Sequence, residues 1–435
     1  MLVSDFFKTD FVDYASYDNL RKIASLVDGQ KNSSRKILHT ILEKSIKSEM
    51  KVSRLGTQVA EFTEYLHGSL DGVVVNLAQS FVGSNNIPLL VPEGNFGTRF
   101  TPKAAASRYI YSYGSPEFFD LFKKDDCFVL KQQSFEGVRI EPMFFVPSLP
   151  LLLINGSEGV SSGFAQKILP RNPVEIKRYI IAKLEGKNSR VKLMPWYKGF
   201  NGTIEQGDNS TQWIIKGKFK KIGINKIQIT EVPIGYDLKS YLNVLDDLEE
   251  KKIIQGYTDK SEDDAFLFDV NIPSKSLKEW DDETILQKLK LISKVSENYT
   301  VIDENNKIKV FETVEEILDH YIKIKLEYLQ KRKDFLIQKI EEQIKFDLSK
   351  YYFIKMIVDN ILIINKRKKD DIVKDLEKNQ EIFPKEGSYD YLLRLPIYSL
   401  TKEEMEKINS NINEKKKELK ELKRSSCSEI WTNEL

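Results

Sequence analysis

Residues 104–114 read AAASRYIYSYG, with three small side chains leading into Arg108 and Tyr109. That order presents a phenol beside a guanidinium. A tyrosine can attack a phosphodiester and form a phosphotyrosine ester if cations stabilise the charge of the pentacovalent state. In a chain with 19 tyrosines an Arg-Tyr pair by itself means little, and its surroundings give it meaning. The stretch 94–109, GNFGTRFTPKAAASRY, adds Arg99 and Lys103 to Arg108 and contains no acid. Upstream, 31–54 reads KNSSRKILHTILEKSIKSEMKVSR: seven Lys/Arg (Lys31, Arg35, Lys36, Lys44, Lys47, Lys51, Arg54) against Glu43 and Glu49. Its Ile37, Leu38, Ile41 and Leu42 recur at helical spacing, so a solvated helix face also accounts for those charges. Two neighbouring basic segments in a near-neutral chain point to a surface for a polyanion.

The whole chain sharpens the contrast. It has 435 residues and 67 basic against 65 acidic side chains, a net charge of +2, so bulk charge selects no partner. At ~100–200 residues per domain the length implies several domains. Its 41% hydrophobic and 30% charged content excludes wholesale disorder. Two cysteines, Cys127 and Cys427, build no disulfide framework, and no cluster has metal-ligand spacing, so a reducing compartment is expected. The start, MLVSDFFKTDFVDY, shows neither a basic nor an apolar secretory region. The longest apolar run, FFVPSLPLLLI at 144–154, is short and broken by prolines, so no membrane-spanning helix is expected.

Texture changes twice along the chain. Between about 195 and 310, GTIEQ, WIIKGKF, KIQITEV, FLFDVNI, YTVIDEN and KIKVFET read as strands, interrupted by one helical segment, YDLKSYLNVLDDLEEKKI. After 312 a long charged helix follows Thr313 and Glu316, a capping-box pair, with Ile337, Ile340, Ile344 and Leu348 in one stripe. Thr401 with Glu404 opens a second helix, whose Met405, Ile408, Ile412, Leu419 and Leu422 fit a heptad seam interrupted by Lys415. Two long helices flanking a compact, aromatic-rich segment predict an antiparallel arm with a terminal knob.

Eight segments then occur in a telling order: VDGQKNSSRKIL (27–38), EYLHGS (64–69), EGNFGTRF (93–100), AAASRYI (104–110), LLLINGSEGVSSGF (151–164), PWYKGFNGTIE (195–205), ITEVPIG (229–235) and YLLRLPIYSLT (391–401). Together they resemble the breakage–reunion region of type IIA DNA topoisomerases from about residue 20 onward. The PWYKGF and YLLRLPIYSLT versions are similar to the eukaryotic and T-even-phage forms, and a chain from its own Met to WTNEL looks like a phage enzyme's separate medium subunit. The resemblance implies an α+β multidomain fold: a winged-helix DNA-binding and cleavage domain at 1–150, a strand-rich tower domain at 151–310, and at 311–435 a long antiparallel coiled-coil arm with a terminal dimerisation domain at about 350–400.

The same resemblance implies roles. Tyr109 matches the nucleophile that links to a 5′ phosphate, Arg108 the arginine beside it, Arg35 the arginine at the scissile phosphate, and His67 a histidine that stabilises the transition state. Val160 falls where the family has an isoleucine wedged between bases. Lys36, Lys51, Arg99 and Lys103 are expected DNA contacts, and Gly94, Asn95 and Gly97 form the loop near the tyrosine. Departures stand at QKN (30–32) for the family's LKP turn, Leu66 for the first of paired histidines, and Ser69 for an acid. At Leu70 and Val74, where gyrases hold a quinolone's metal–water bridge, neither side chain accepts a hydrogen bond. No carboxylate set of Glu with Asp-x-Asp spacing and no ATP-binding region is found, so Mg²⁺ and ATP are expected on a large partner subunit with ATPase and Toprim regions. The expected partners are double-stranded DNA, that large partner, and a second copy through the C-terminal arm. The expected place is the cytoplasm, that of the host cell if the chain is phage-encoded. A non-cleaving architectural DNA clamp is the alternative.

Overall fold

The computed structural model describes residues 7–435; residues 1–6, part of the N-terminal stretch read above for a secretory signal, lie outside it. The chain forms two compact units, one reaching Lys325 and including Leu435, the other spanning Leu326–Glu434. The architecture is mixed α and β.

The first unit opens with helix α1 (Asp10–Lys22) and helix α2 (Asn32–Glu43). Ser34 starts α2 by accepting from the Lys31 N–H and donating to its carbonyl, at 3.1 and 3.0 Å. Ile37, Leu38, Ile41 and Leu42 are all buried, as the spacing predicts. Strand β1 (Met50–Lys51) leads into α3 (Val52–Phe62), which buries Val52, Leu55 and Val59 on one face. At Gly56 a Cβ would lie 2.5 Å from the Asp71 carboxylate at the start of α4 (Asp71–Ala78), so any larger residue there would have to displace that side chain. Strands β2 (Leu90–Glu93) and β3 (Tyr111–Gly114) complete an antiparallel three-stranded sheet in the order β1-β3-β2.

Beyond residue 200 the expected strands form, but one apolar run serves two sheets. WIIKGKF is split at Gly217: Gln212–Lys216 pairs with Thr203–Gln206 and Ile292–Ser296, whereas Lys218–Lys221 joins Lys226–Glu231 in a different sheet. A Cβ at Gly217 would sit 2.4 Å from the Glu231 carbonyl oxygen, so the crossing point requires glycine. The second sheet packs Ile227, Ile229, Phe268 and Val270 against Tyr241, Leu245 and Leu248 of the helix Leu238–Glu250, capped by Asp237. A buried polar hub fixes the neighbouring region. Glu297 accepts from Arg171 (2.5 and 2.6 Å), the Trp213 indole (2.7 Å), the Tyr299 hydroxyl (2.8 Å) and the Leu169 N–H (2.7 Å).

The helix Val314–Val358 is 45 residues long. Thr313 accepts from the Glu316 N–H at 3.2 Å, as expected of its cap. Its first turns belong to the first unit, where Tyr321 donates to the Pro147 carbonyl and Lys325 to that of Val146. In the second unit, Ile340 and Ile344 pack with Ile412 of the helix Lys402–Arg424. Lys415 interrupts that seam because it pairs with Asp347 at 2.7 Å. Phe353, Ile354, Leu362, Ile372, Leu376 and Leu392 form a separate core in the segment between the two helices.

Candidate DNA-cleavage site

The turn carrying Tyr109 is held on both sides by backbone hydrogen bonds. Ala105 N–H donates to Asn95 O (3.0 Å), Ser53 N–H to Ser107 O (3.3 Å), and Val52 N–H to Ile110 O (3.0 Å). The chain then enters β3, where Tyr111 pairs with Lys51. Opposite, the loop turns through Gly94 (φ +100°) and Gly97 (φ +88°), and the Asn95 side chain accepts from the Gly97 N–H at 2.9 Å. A Cβ at Gly97 would meet the Pro102 carbonyl at 2.5 Å, so glycine is required there.

On this base Tyr109 is 66% exposed. The Arg108 guanidinium lies over its ring, 4.8 Å from the centroid. Arg108, Lys51 and Lys103 are all exposed, as Tyr109 is. Tyr113, by contrast, donates its hydroxyl to Glu93 at 3.3 Å.

Three cations expected at the surface are placed elsewhere. Arg99 is 5% exposed: it pairs with Glu231 at 2.7 Å, donates to Val232 O at 2.8 Å and stacks over Phe266. Lys36 is held by Glu141 and the Thr63 carbonyl, both at 2.8 Å. Arg35 is buried, with Nε 2.7 Å and Nη2 3.1 Å from the two Asp28 oxygens and a further bond to Gln30 O. In each case a carboxylate neutralises the cation inside the fold, and the expectations that Arg99 and Lys36 reach phosphates from the surface and that Arg35 faces the scissile phosphate are corrected. Asp28, seven residues before Arg35, carried a local signal; Glu141 and Glu231 stand too far along the chain to be read as partners. Of the basic segment 31–54, Lys44, Lys47, Lys51 and Arg54 remain exposed.

His67 is exposed, and its Nε2 lies 2.8 Å from the Tyr17 hydroxyl of α1, a partner not anticipated. Leu66 beside it is 78% exposed, while Leu70 and Val74 are buried. Val160 ends the strand Ser157–Val160, which pairs with Ala165–Ile168. It is 73% exposed and so is no part of the core.

Comparison with solved structures defines the class of this fold: it is that of a topoisomerase II cleavage domain. The Plasmodium falciparum topoisomerase II DNA-binding, cleavage and re-ligation domain superposes with a TM-score of 0.89 and 32% identity, over 99% of this chain and 63% of that one. The family model for the A-type chain of DNA gyrase/topoisomerase IV matches residues 21–435, and the chain belongs to that family. Among curated relatives, mitochondrial DNA topoisomerase 2 of Dictyostelium discoideum is 34% identical over 99% of this chain and 34% of its own length. DNA topoisomerase 2 of Saccharomyces cerevisiae is 32% identical over 100% of this chain and 34% of its own length. The chain thus spans about a third of the length of these relatives.

Proposed function

We propose that this chain is the cleavage and religation component of an ATP-dependent type IIA DNA topoisomerase that relaxes DNA by passing one duplex through a transient break in another. The observation that carries the reading is Tyr109, exposed beside Arg108, with Lys51 and Lys103 exposed as well. The Tyr109 oxygen attacks a backbone phosphorus, the new Tyr–O–P bond forms to the 5′ phosphate, the P–O3′ bond breaks, and the 3′ oxygen takes up a proton as the phenol loses one. Religation is the reverse. Arg108 and the neighbouring lysines offset the charge that builds on the phosphoryl oxygens. His67 is assigned to transition-state stabilisation by family likeness.

Among the described residues no three His, Cys, Asp or Glu side chains gather as metal ligands, and Glu93, the acid paired across from Tyr111, is engaged by the Tyr113 hydroxyl. The donor chemistry here therefore does not suit the ion. Mg²⁺ handling and ATP hydrolysis are proposed for a large partner subunit with Toprim and ATPase regions, consistent with relatives about three times longer. In this reading residues 1–150 are a winged-helix DNA-binding region, 151–310 a tower, and 311–435 a coiled-coil arm. The exposed Ile361, Ile363, Ile397 and Tyr398 would close a two-fold contact between arms.

The test mixes this chain and its partner subunit with end-labelled duplex, denatures the mixture, and looks for covalently linked DNA. The parent should form the adduct and Tyr109→Phe should not. Adducts that persist in Tyr109→Phe would move the nucleophile, with Tyr111 and Tyr113 nearest. A parent that binds duplex without any adduct would be the non-cleaving clamp.

A further inference from the structure

We propose that Asp18 is a positioning residue for DNA bending: its carboxylate locks the turn after Val160, so that the valine is presented as a preset wedge. The inference rests on the cleavage reading above and deepens it. Asp18 stands on α1, far from the hairpin in sequence, yet its Oδ2 accepts from Ser161 Oγ (3.0 Å), Ser162 N–H (3.0 Å) and Ser162 Oγ (2.9 Å). Lys22, one helical turn on, sits 3.0 Å from the other oxygen. Beside that ammonium the carboxyl is held down to about 2, so the acceptor is ionised at neutral pH.

The strands below the turn are fixed by other means. Gly159 lies so close to α1 that a Cβ would be 2.1 Å from the Lys22 carbonyl. Lys31 Nζ donates to Glu158 O at 2.7 Å, and buried Gln166 bridges the Ala24 N–H and the Thr300 carbonyl. The turn itself closes with a Ser161 N–H to Phe164 O bond of 2.9 Å and passes through Gly163 at φ +77°. Its side-chain anchor is Asp18. The hairpin's inner face is therefore bound to α1 while Val160, on the outer face, is 73% exposed.

The physical reason for such an anchor is entropic. Pushing an apolar side chain between base pairs already costs unstacking, and a loose turn would add the cost of being ordered at the same moment. A turn fixed before binding avoids that second cost.

The test compares the parent with Asp18→Ala, Asp18→Glu, Ser161→Ala/Ser162→Ala and Val160→Ala. Each binds a short duplex labelled with a fluorescence energy-transfer pair at its ends, with folding checked by circular dichroism. For Asp18→Ala the bent-to-unbent ratio at saturation should fall about tenfold, the scale of losing hydrogen bonds to a charged acceptor. Duplex affinity should stay within about threefold, because phosphate contacts set it. Asp18→Glu, which keeps the acceptor, should recover part of the bending; a residue that only supported folding would move affinity and bending together. Should Asp18→Ala fail to fold, the serine double variant carries the test, since it removes two donors and leaves the helix intact. A folded Asp18→Ala or serine variant that bends DNA as the parent does, while Val160→Ala does not, overturns the positioning role alone. If Val160→Ala itself bends DNA normally, the wedge reading falls and the role of Asp18 falls with it.

Discussion

At the scale of single residues, Tyr109 and His39 show how burial divides chemistry from structure. Tyr109 faces solvent, and replacing it with Phe removes one oxygen while leaving every nearby cation in place. Tyr109→Phe should therefore bind duplex within about threefold of the parent in a fluorescence anisotropy titration, even though it forms no adduct. His39 is the opposite case. It is 3% exposed on α2, stacked on Phe62. Burial, with repulsion from Arg139 and Lys36, lowers its pKa from 6.5 to about 4. The folded protein thus keeps His39 neutral where the unfolded chain takes up a proton. Stability from this residue is fully present above pH 6.5, falls as pH drops toward about 4, and levels off below. The loss should approach about 3 kcal/mol, and His39→Phe should flatten that slope in urea unfolding at a series of pH values.

At the scale of elements, the C-terminal helix pair is a seam with one charged interruption. Ile412 is 1% exposed against Ile340 and Ile344. Ile412→Ala should cost about 2–5 kcal/mol, read as a lower unfolding midpoint, because the cavity cannot fully close. Lys415, paired with Asp347 and only partly buried, behaves differently. The double replacement Lys415→Leu/Asp347→Leu should be neutral or stabilising in the same measurement, since a half-buried ion pair loses in desolvation much of what it gains in attraction.

For the whole molecule, the near-neutral net charge does not say which cations reach solvent. Lys44, Lys47, Lys51, Arg54, Lys103 and Arg108 stay exposed, while Arg35, Lys36 and Arg99 are neutralised inside. Affinity for duplex DNA should fall linearly with the logarithm of salt concentration, with a slope of about −0.9 per phosphate contacted. Lys51→Gln or Lys103→Gln should each reduce that slope by about one. Arg99→Gln should instead leave the slope unchanged and lower thermal stability, because Glu231 would lose its buried partner. Sedimentation of the purified chain should show a dimer that truncation within 350–400 abolishes. A monomer would remove the proposed arm contact.

Much of this protein was legible in sequence because the governing forces are local. Helical spacing located α2 and both C-terminal helices, and Thr313 and Thr401 marked their starts since a hydroxyl three residues ahead satisfies an orphan N–H. The loop near Tyr109 was legible from Gly94, Asn95 and Gly97, and both glycines do turn at positive φ. Tertiary structure alone decided the rest. It split WIIKGKF between two sheets at Gly217, where a backbone carbonyl 2.4 Å from the Cβ position leaves no room for a side chain. It chose which cations face solvent, because a basic residue in a helix or a loop reads the same in sequence whether it meets water or a carboxylate a hundred residues away. Arg99 and Lys36 were misplaced for that reason. Asp18 was invisible for the same one: its hydrogen bonds to Ser161 and Ser162 exist only once the chain has folded back on itself.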